Sequence, residues 1–377
     1  MSVFLMAFMM KASLSESPRD FIVYCLVRYA LMGIFAVALI PLFKKHPLWA
    51  WRSSMAFSIL QITTIILFSS WPGFIYVTAL FSALESILYW RPKIIFDTLE
   101  VSDQNRVNFK STGQILIEAA KIIMPIVLGF AIQGSGYQNA AIFILVISIL
   151  QLILSLFFRP RQHRHSEKRN IFRSVQNLFE HESLQRLIWL QLLRGLLTAS
   201  AAYVVVATIA LNLSAADDIQ RGFITALGSI FAIIALVIYR KFAHNRRAQK
   251  VMLVSLAPAV ILVPLVAFFF PNDSLIGIIF YIFTAAVVAS LLDSTIGVVR
   301  IQDILSRHAK NDDDRVVIEA IGESFLSIGR AISLGILLLV VCFADYRYEL
   351  LFTFMTAFLV LPLIAIAIPS GSKKLEK

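Results

Sequence analysis

Runs of about 20 apolar residues return along nearly the whole chain, and that is the length an α-helix needs to cross the hydrocarbon core of a bilayer. They fall at 21–42, 48–69, 72–91, 112–134, 139–158, 184–211, 222–239, 251–270, 275–298, 316–343 and 348–369, with a shorter apolar stretch at Val3–Met10. Composition agrees: 59% of the 377 residues are hydrophobic and 15% charged, against about 25% charged in a soluble domain. The expectation is an all-α polytopic membrane protein of about 12 spans. Val3–Met10 is too short to cross alone, so the chain is expected to start inside its first helix or to continue upstream. It lacks the basic start and small-residue cleavage site of a signal peptide.

The net charge of +11 is explained by where the 34 Lys and Arg fall. Lys44, Lys45 and Arg52 follow the second span, and Arg91, Lys93, Arg106 and Lys110 follow the fourth. Further clusters occupy 159–186, 240–250, 300–315 and the C-terminal Lys373, Lys374 and Lys377, whereas the alternate loops hold only Lys11, Arg19, Arg221 and Arg347. Cytoplasmic loops of membrane proteins carry this excess. The basic charge is therefore topology and not a nucleic-acid footprint, and the C-terminus is expected in the cytoplasm, the membrane being a bacterial inner (cytoplasmic) one.

The longest basic connection, "RPRQHRHSEKRNIFRSVQNLFEHESLQR", follows the sixth span and divides the chain into an N-terminal half (1–158), a linker (159–183) and a C-terminal half (184–377). One constant spacing relates Arg91 to Arg300, Arg106 to Arg315, Gly113 to Gly322 and Lys121 to Arg330, which suggests two parallel repeats. With basic clusters after spans two ("PLFKKHPLWAWR") and eight ("YRKFAHNRRAQK") and the acidic-then-arginine loop "PKIIFDTLEVSDQNRVNFKS", the chain resembles the major facilitator superfamily. It departs in its motifs: "PLFKKHPLWAWR" lacks the family's Gly and Asp, and Met124 and Pro125 of "MPIVLGF" stand where Gly-Pro would. The resemblance implies two six-helix halves that alternate access, with spans three, six, nine and twelve at the periphery. It also implies a gate near Lys44, Lys45, Arg240 and Arg247.

Charges inside the spans fit that arrangement. Span six, span nine and the stretch "LLFTFMTAFLVLPLIAIAI" of span twelve contain no Asp, Glu, Lys, Arg or His and span three only Arg52 at its edge, whereas Arg28, Glu85, Glu118, Lys121, Arg194, Asp293, Glu319, Glu323 and Arg330 lie in spans two, four, five, seven, ten and eleven. An ionisable group at membrane depth costs at least about 2.5 kcal/mol on the most lenient scale, so it faces protein or water. In "VVIEAIGESFLSIGRAISLGILLLVVCF", Glu319, Glu323 and Arg330 fall within about 40° on one helix face. Gln114, Glu118 and Lys121 share another face, as do Gln191, Arg194 and Thr198. The Gly and Ser of "GESFLSIG" are read as helix-packing residues.

Glu118 and Lys121, three residues apart, either neutralise each other or serve separately. Asp293 and Glu319 are expected to pack against loop arginines such as Arg300 or Arg315, and Arg28 to snorkel outward. Glu85 is expected to be isolated. Glu85, Glu118 and Glu323 are the proton-coupling candidates; Lys121, Gln191, Arg194 and Arg330 are the substrate-binding or charge-network candidates. Glu323 lies about 10.5 Å from Arg330 along the axis, so Arg330 is expected to meet another helix or the substrate. Lys121 and Arg330, repeat-matched, point to an anionic substrate between the halves.

Nothing points to an enzyme. All six His (His46, His163, His165, His181, His244, His308) fall in expected loops, and there is no phosphate-binding loop or ATPase domain; no cofactor or metal is expected. The reading is a secondary active transporter of a small organic solute, proton-coupled. The alternatives are a non-transporting receptor or assembly subunit of the same fold, and a lipid or glycan-precursor flippase.

Overall fold

The computed structural model describes residues 19–69, 71, 73–100, 103–158, 182–212, 218–242 and 312–343, with 279, 282–283 and 286–287. Among them are eight helices and no strand: α1 (Arg19–Ala38), α2 (Ile40–Lys45), α3 (Pro47–Phe68), α4 (Phe74–Glu100), α5 (Asp103–Phe157), α6 (Glu182–Asn212), α7 (Asp218–Phe242) and α8 (Asp312–Phe343). The expected spans 251–270 and 348–369, the stretch Val3–Met10 and nearly all of 275–298 lie outside the described residues, as do Asp293 and Arg247.

The second expected span is interrupted at Leu39 (φ −93, ψ 6), and a separate turn, α2, begins there. Pro41 has no N–H to offer the carbonyl of Val37, so the ladder cannot run through. The expected loop at 92–111 is instead largely helical, α4 running to Glu100 and α5 starting at Asp103. Spans 112–134 and 139–158 form one element, whose 55 residues would make a straight rod of about 82 Å, far beyond a core of about 30 Å. Gly136, at φ 83 and ψ 168, breaks it; that region is open essentially to glycine alone. Leu128 and Ile132 before the break pack in one cluster with Ala140 and Ile144 after it.

Among the described residues, five segments are long and apolar enough to cross a membrane: Arg19–Ala38, Pro47–Phe68, Ile115–Phe157, Gly222–Tyr239 and Val316–Val340. The distribution of side chains is that of an integral membrane protein. Ile34, Leu116, Leu154 and Phe157 are each more than 60% exposed, while Thr78 and Ser327 are fully buried; surfaces this apolar suit lipid rather than water. Helix α1 packs on α4 and α8, α3 on α4 and α5, α5 on α7, and α6 on α8. One apolar core joins Met32, Ala36, Phe43, Ala50, Ala83, Ile87 and Leu88 from α1 to α4. A second joins Ile40 of α2, Leu184 and Leu187 of α6, and Val317, Ile318 and Ile321 of α8.

Small residues set the closest approaches. A Cβ at Gly195 would strike the Leu326 carbonyl oxygen, and one at Gly329 the Leu192 carbonyl oxygen, so each glycine admits the other helix's backbone. Between α5 and α7 a Cβ at Gly222 would lie 2.6 Å from the Pro125 carbonyl oxygen. Without a hydrophobic force between helices in lipid, such backbone proximity is a main source of packing energy.

Candidate functional site

The two neighbours of α8 determine where its charged stripe points. Gly322 faces Gln191 and Gly329 faces Leu192 of α6, while Ser324 and Ser327 face Gly33 of α1, whose Cβ position lies 3.4 Å from the Ser324 carbonyl oxygen. Stepping about 100° per residue, Glu319, Glu323 and Arg330 lie about 90° from both contact faces. The stripe therefore projects into the crevice between α1 and α6, and α4 meets it there.

Arg91 of α4 closes one end of that crevice. Its Nη1 donates to the Glu319 carbonyl at 2.9 Å and its Nη2 to Glu323 Oε2 at 2.5 Å. Only 8% of the Arg91 side chain is exposed. Glu323 Oε1 also lies 3.7 Å from Arg330 Nη1, so the separation that argued against a direct pair is spanned by two long side chains reaching toward each other. Arg330 stands over the ring of Tyr29 at 5.1 Å. That contact is the other helix that the sequence reading asked for.

Arg28, one residue before Tyr29, stands over the same ring at 5.5 Å. It does not snorkel outward: Nη2 donates to Ser86 Oγ at 2.7 Å, and Nε is buried without a partner. Ser86 Oγ in turn donates to Glu85 Oε2 at 3.1 Å. Glu85 is therefore not isolated; its charge is linked to Arg28 through one hydroxyl. Nearby, Gln61 Nε2 donates to the Tyr24 hydroxyl at 3.3 Å.

The remaining candidates sit elsewhere. Lys121 Nζ donates to Glu118 Oε1 at 2.7 Å within α5; the Glu118 side chain is 7% exposed and that of Lys121 56%. Arg194 Nη1 donates to Gln191 Oε1 at 3.4 Å, and the Thr198 hydroxyl to the Arg194 carbonyl at 2.9 Å. Gln191, 6% exposed, lies against Gly322 at the contact of α6 with α8. Lys44 and Lys45 form the last turn of α2, and Arg240 lies in α7. Arg52 caps a helix end: it donates to the carbonyls of Ser155, Leu156 and Phe158 at 3.3, 3.2 and 3.3 Å, where a cation complements the helix dipole.

Sequence reasoning missed Arg91 and Tyr29 as members of this cluster. The repeat match of Arg91 with Arg300 was the available signal for the first; nothing marked Tyr29 except its place beside Arg28. No protein-family model matches the chain, and no curated protein is significantly similar to it.

Proposed function

We propose that the chain is a secondary active transporter of the major-facilitator kind, with two six-helix halves and the basic loops and C-terminus in the cytoplasm of a bacterial cell. It moves a small organic solute by alternating access, coupled to protons. One observation carries this reading. If α1, α5, α7 and α8 are spans two, five (with six), eight and eleven, the two contacts α1 with α8 and α5 with α7 are spans two with eleven and five with eight. Adding six to every span number exchanges these two pairs. A pseudo-two-fold axis between parallel repeats requires that property of the helices at the contact between halves.

In this reading Arg91 is the inner latch. It joins α4 of the first half to α8 of the second through Glu323 and the Glu319 carbonyl, so inward opening must part it from both. Glu323, one of the proton-coupling candidates, is thus the carboxylate that gate opening frees from its arginine. Glu85 stands in the same relation to Arg28 across Ser86.

The test is flux in proteoliposomes under an imposed pH gradient. Accumulation of a solute that collapses with a protonophore is expected. Glu85→Gln should abolish accumulation yet leave solute exchange intact, and accumulation by this variant equal to the parent's would remove Glu85 from the coupling step. Complete absence of flux across a broad solute panel, from correctly folded protein, would end the transport reading.

A further inference from the structure

Two guanidiniums that share one aromatic ring leave most of their hydrogen-bonding capacity unused. A guanidinium carries five N–H donors in a rigid planar fork. Arg330 donates no hydrogen bond among the described residues: its contacts are the 3.7 Å approach to Glu323 and the Tyr29 ring. Arg28 donates to Ser86 alone, and its Nε is buried without a partner. Arg91, by contrast, directs both Nη atoms onto α8. Glu323 is thus held mainly by Arg91, at 2.5 Å, and is a distant partner for Arg330.

Buried guanidinium N–H groups without acceptors are expensive, and in a membrane-spanning helix there is no bulk water to supply them. Arg330 is nevertheless reachable, with 20% of its side chain exposed. Its place on the stripe aims it into the crevice between α1 and α6, and the Tyr29 ring backs it with an aromatic surface. The unmet need at Arg28 and Arg330 is for acceptors that carry negative charge. A carboxylate or phosphate group meets it best, because two of its oxygens match two parallel N–H donors.

We propose that Arg28, Tyr29 and Arg330 form the binding site for the oxyanion of a small organic solute. This rests on the transport reading for its role, but concerns binding alone. The site replaces Lys121 in the sequence expectation: Lys121 is engaged by Glu118, whereas Arg28 shares a ring with Arg330. Glu85 and Glu323 flank the site and keep it from binding anions indiscriminately, since an entering oxyanion must displace part of their attraction for the two arginines.

The experiment uses the full chain in nanodiscs. Thermal unfolding is followed with sodium acetate, succinate, citrate and glycerol phosphate, against glycerol and sodium chloride at matched ionic strength. At least one organic oxyanion is expected to stabilise the protein beyond chloride, the carboxylate and phosphate arms telling which group is recognised. Arg28→Lys and Arg330→Lys keep the charge beside Glu85 and Glu323 but lose the fork. Each should weaken that ligand by at least about tenfold, while Lys121→Gln leaves it unchanged. A second readout works without variants: the anion should protect Arg330 from phenylglyoxal, read by mass spectrometry.

A shift equal to that of chloride, no shift from any of the four salts, equal weakening in Lys121→Gln, or unprotected Arg330 would each overturn the site. Binding without flux would leave the site standing and end the transport reading. Flux of a solute without an acidic group, unchanged in both lysine variants, would do the reverse.

Discussion

Lys121 and Arg330 occupy matched places in the two halves of the sequence, and the protein treats them differently. Lys121 is held by Glu118 one turn away on its own helix and is 56% exposed. Arg330 is 20% exposed; it stands over Tyr29 of α1, and its own helix's Glu323, 3.7 Å away, is also held by Arg91 of α4. The first is a pair between two side chains of one helix. The second exists only when three helices are in place. Equal charge at matched sequence positions therefore does not imply equal surroundings: one cation is paired within its own helix, and the other also stands against a ring of a second helix.

Predictions follow from that contrast, beginning with the largest. Glu323→Gln leaves Arg91, 8% exposed, without its carboxylate, and removing one partner of a buried pair typically costs about 3–5 kcal/mol. Glu118→Gln frees a cation already 56% exposed, so its loss should be at most about 1 kcal/mol. Equal shifts of the two variants in the midpoint of dodecyl-sulfate unfolding would erase the distinction.

Next is packing. Gly329→Val drives a side chain into the Leu192 carbonyl and should destabilise by about 1–3 kcal/mol. Gly113→Val, on α5, meets no atom of the described residues within 4 Å and should remain within about 0.5 kcal/mol of the parent on the same assay.

Tyr29→Leu removes the ring that both Arg28 and Arg330 stand against, with an expected loss of about 1–2 kcal/mol. An additive response in Tyr29→Leu combined with Arg330→Gln would show that the ring and the guanidinium are not coupled.

The stripe on α8 was legible in the sequence because helical period alone puts Glu319, Glu323 and Arg330 on one face. The i,i+3 pairing of Glu118 with Lys121 was legible for the same reason. Arg91 was not, because a hydropathy reading ends the span at residue 91, whereas α4 continues to Glu100 and keeps Arg91 within the bundle. The Arg28, Ser86 and Glu85 chain crosses 58 positions between α1 and α4, and periodicity has no information on which face of one helix meets which face of another. Arg330 and Glu323 were judged too far apart because axial rise was counted without the reach of two flexible side chains. The close approach at Gly329 was legible from "GESFLSIG", but its partner Gly195 emerges only once α6 is laid against α8.

Gly136 has a consequence for how the chain enters the membrane during synthesis. The two arms of α5 meet at a single residue of non-helical backbone, inside the short polar stretch "QGSGYQN" at 133–139. Both arms belong to one apolar stretch, which runs from Ile115 to Phe157, and the polar connector between them is only about seven residues long. The arms are thus suited to leave the insertion channel together, as a pre-folded hairpin whose tip crosses the bilayer once. A much longer polar loop at that tip would separate one integration event into two.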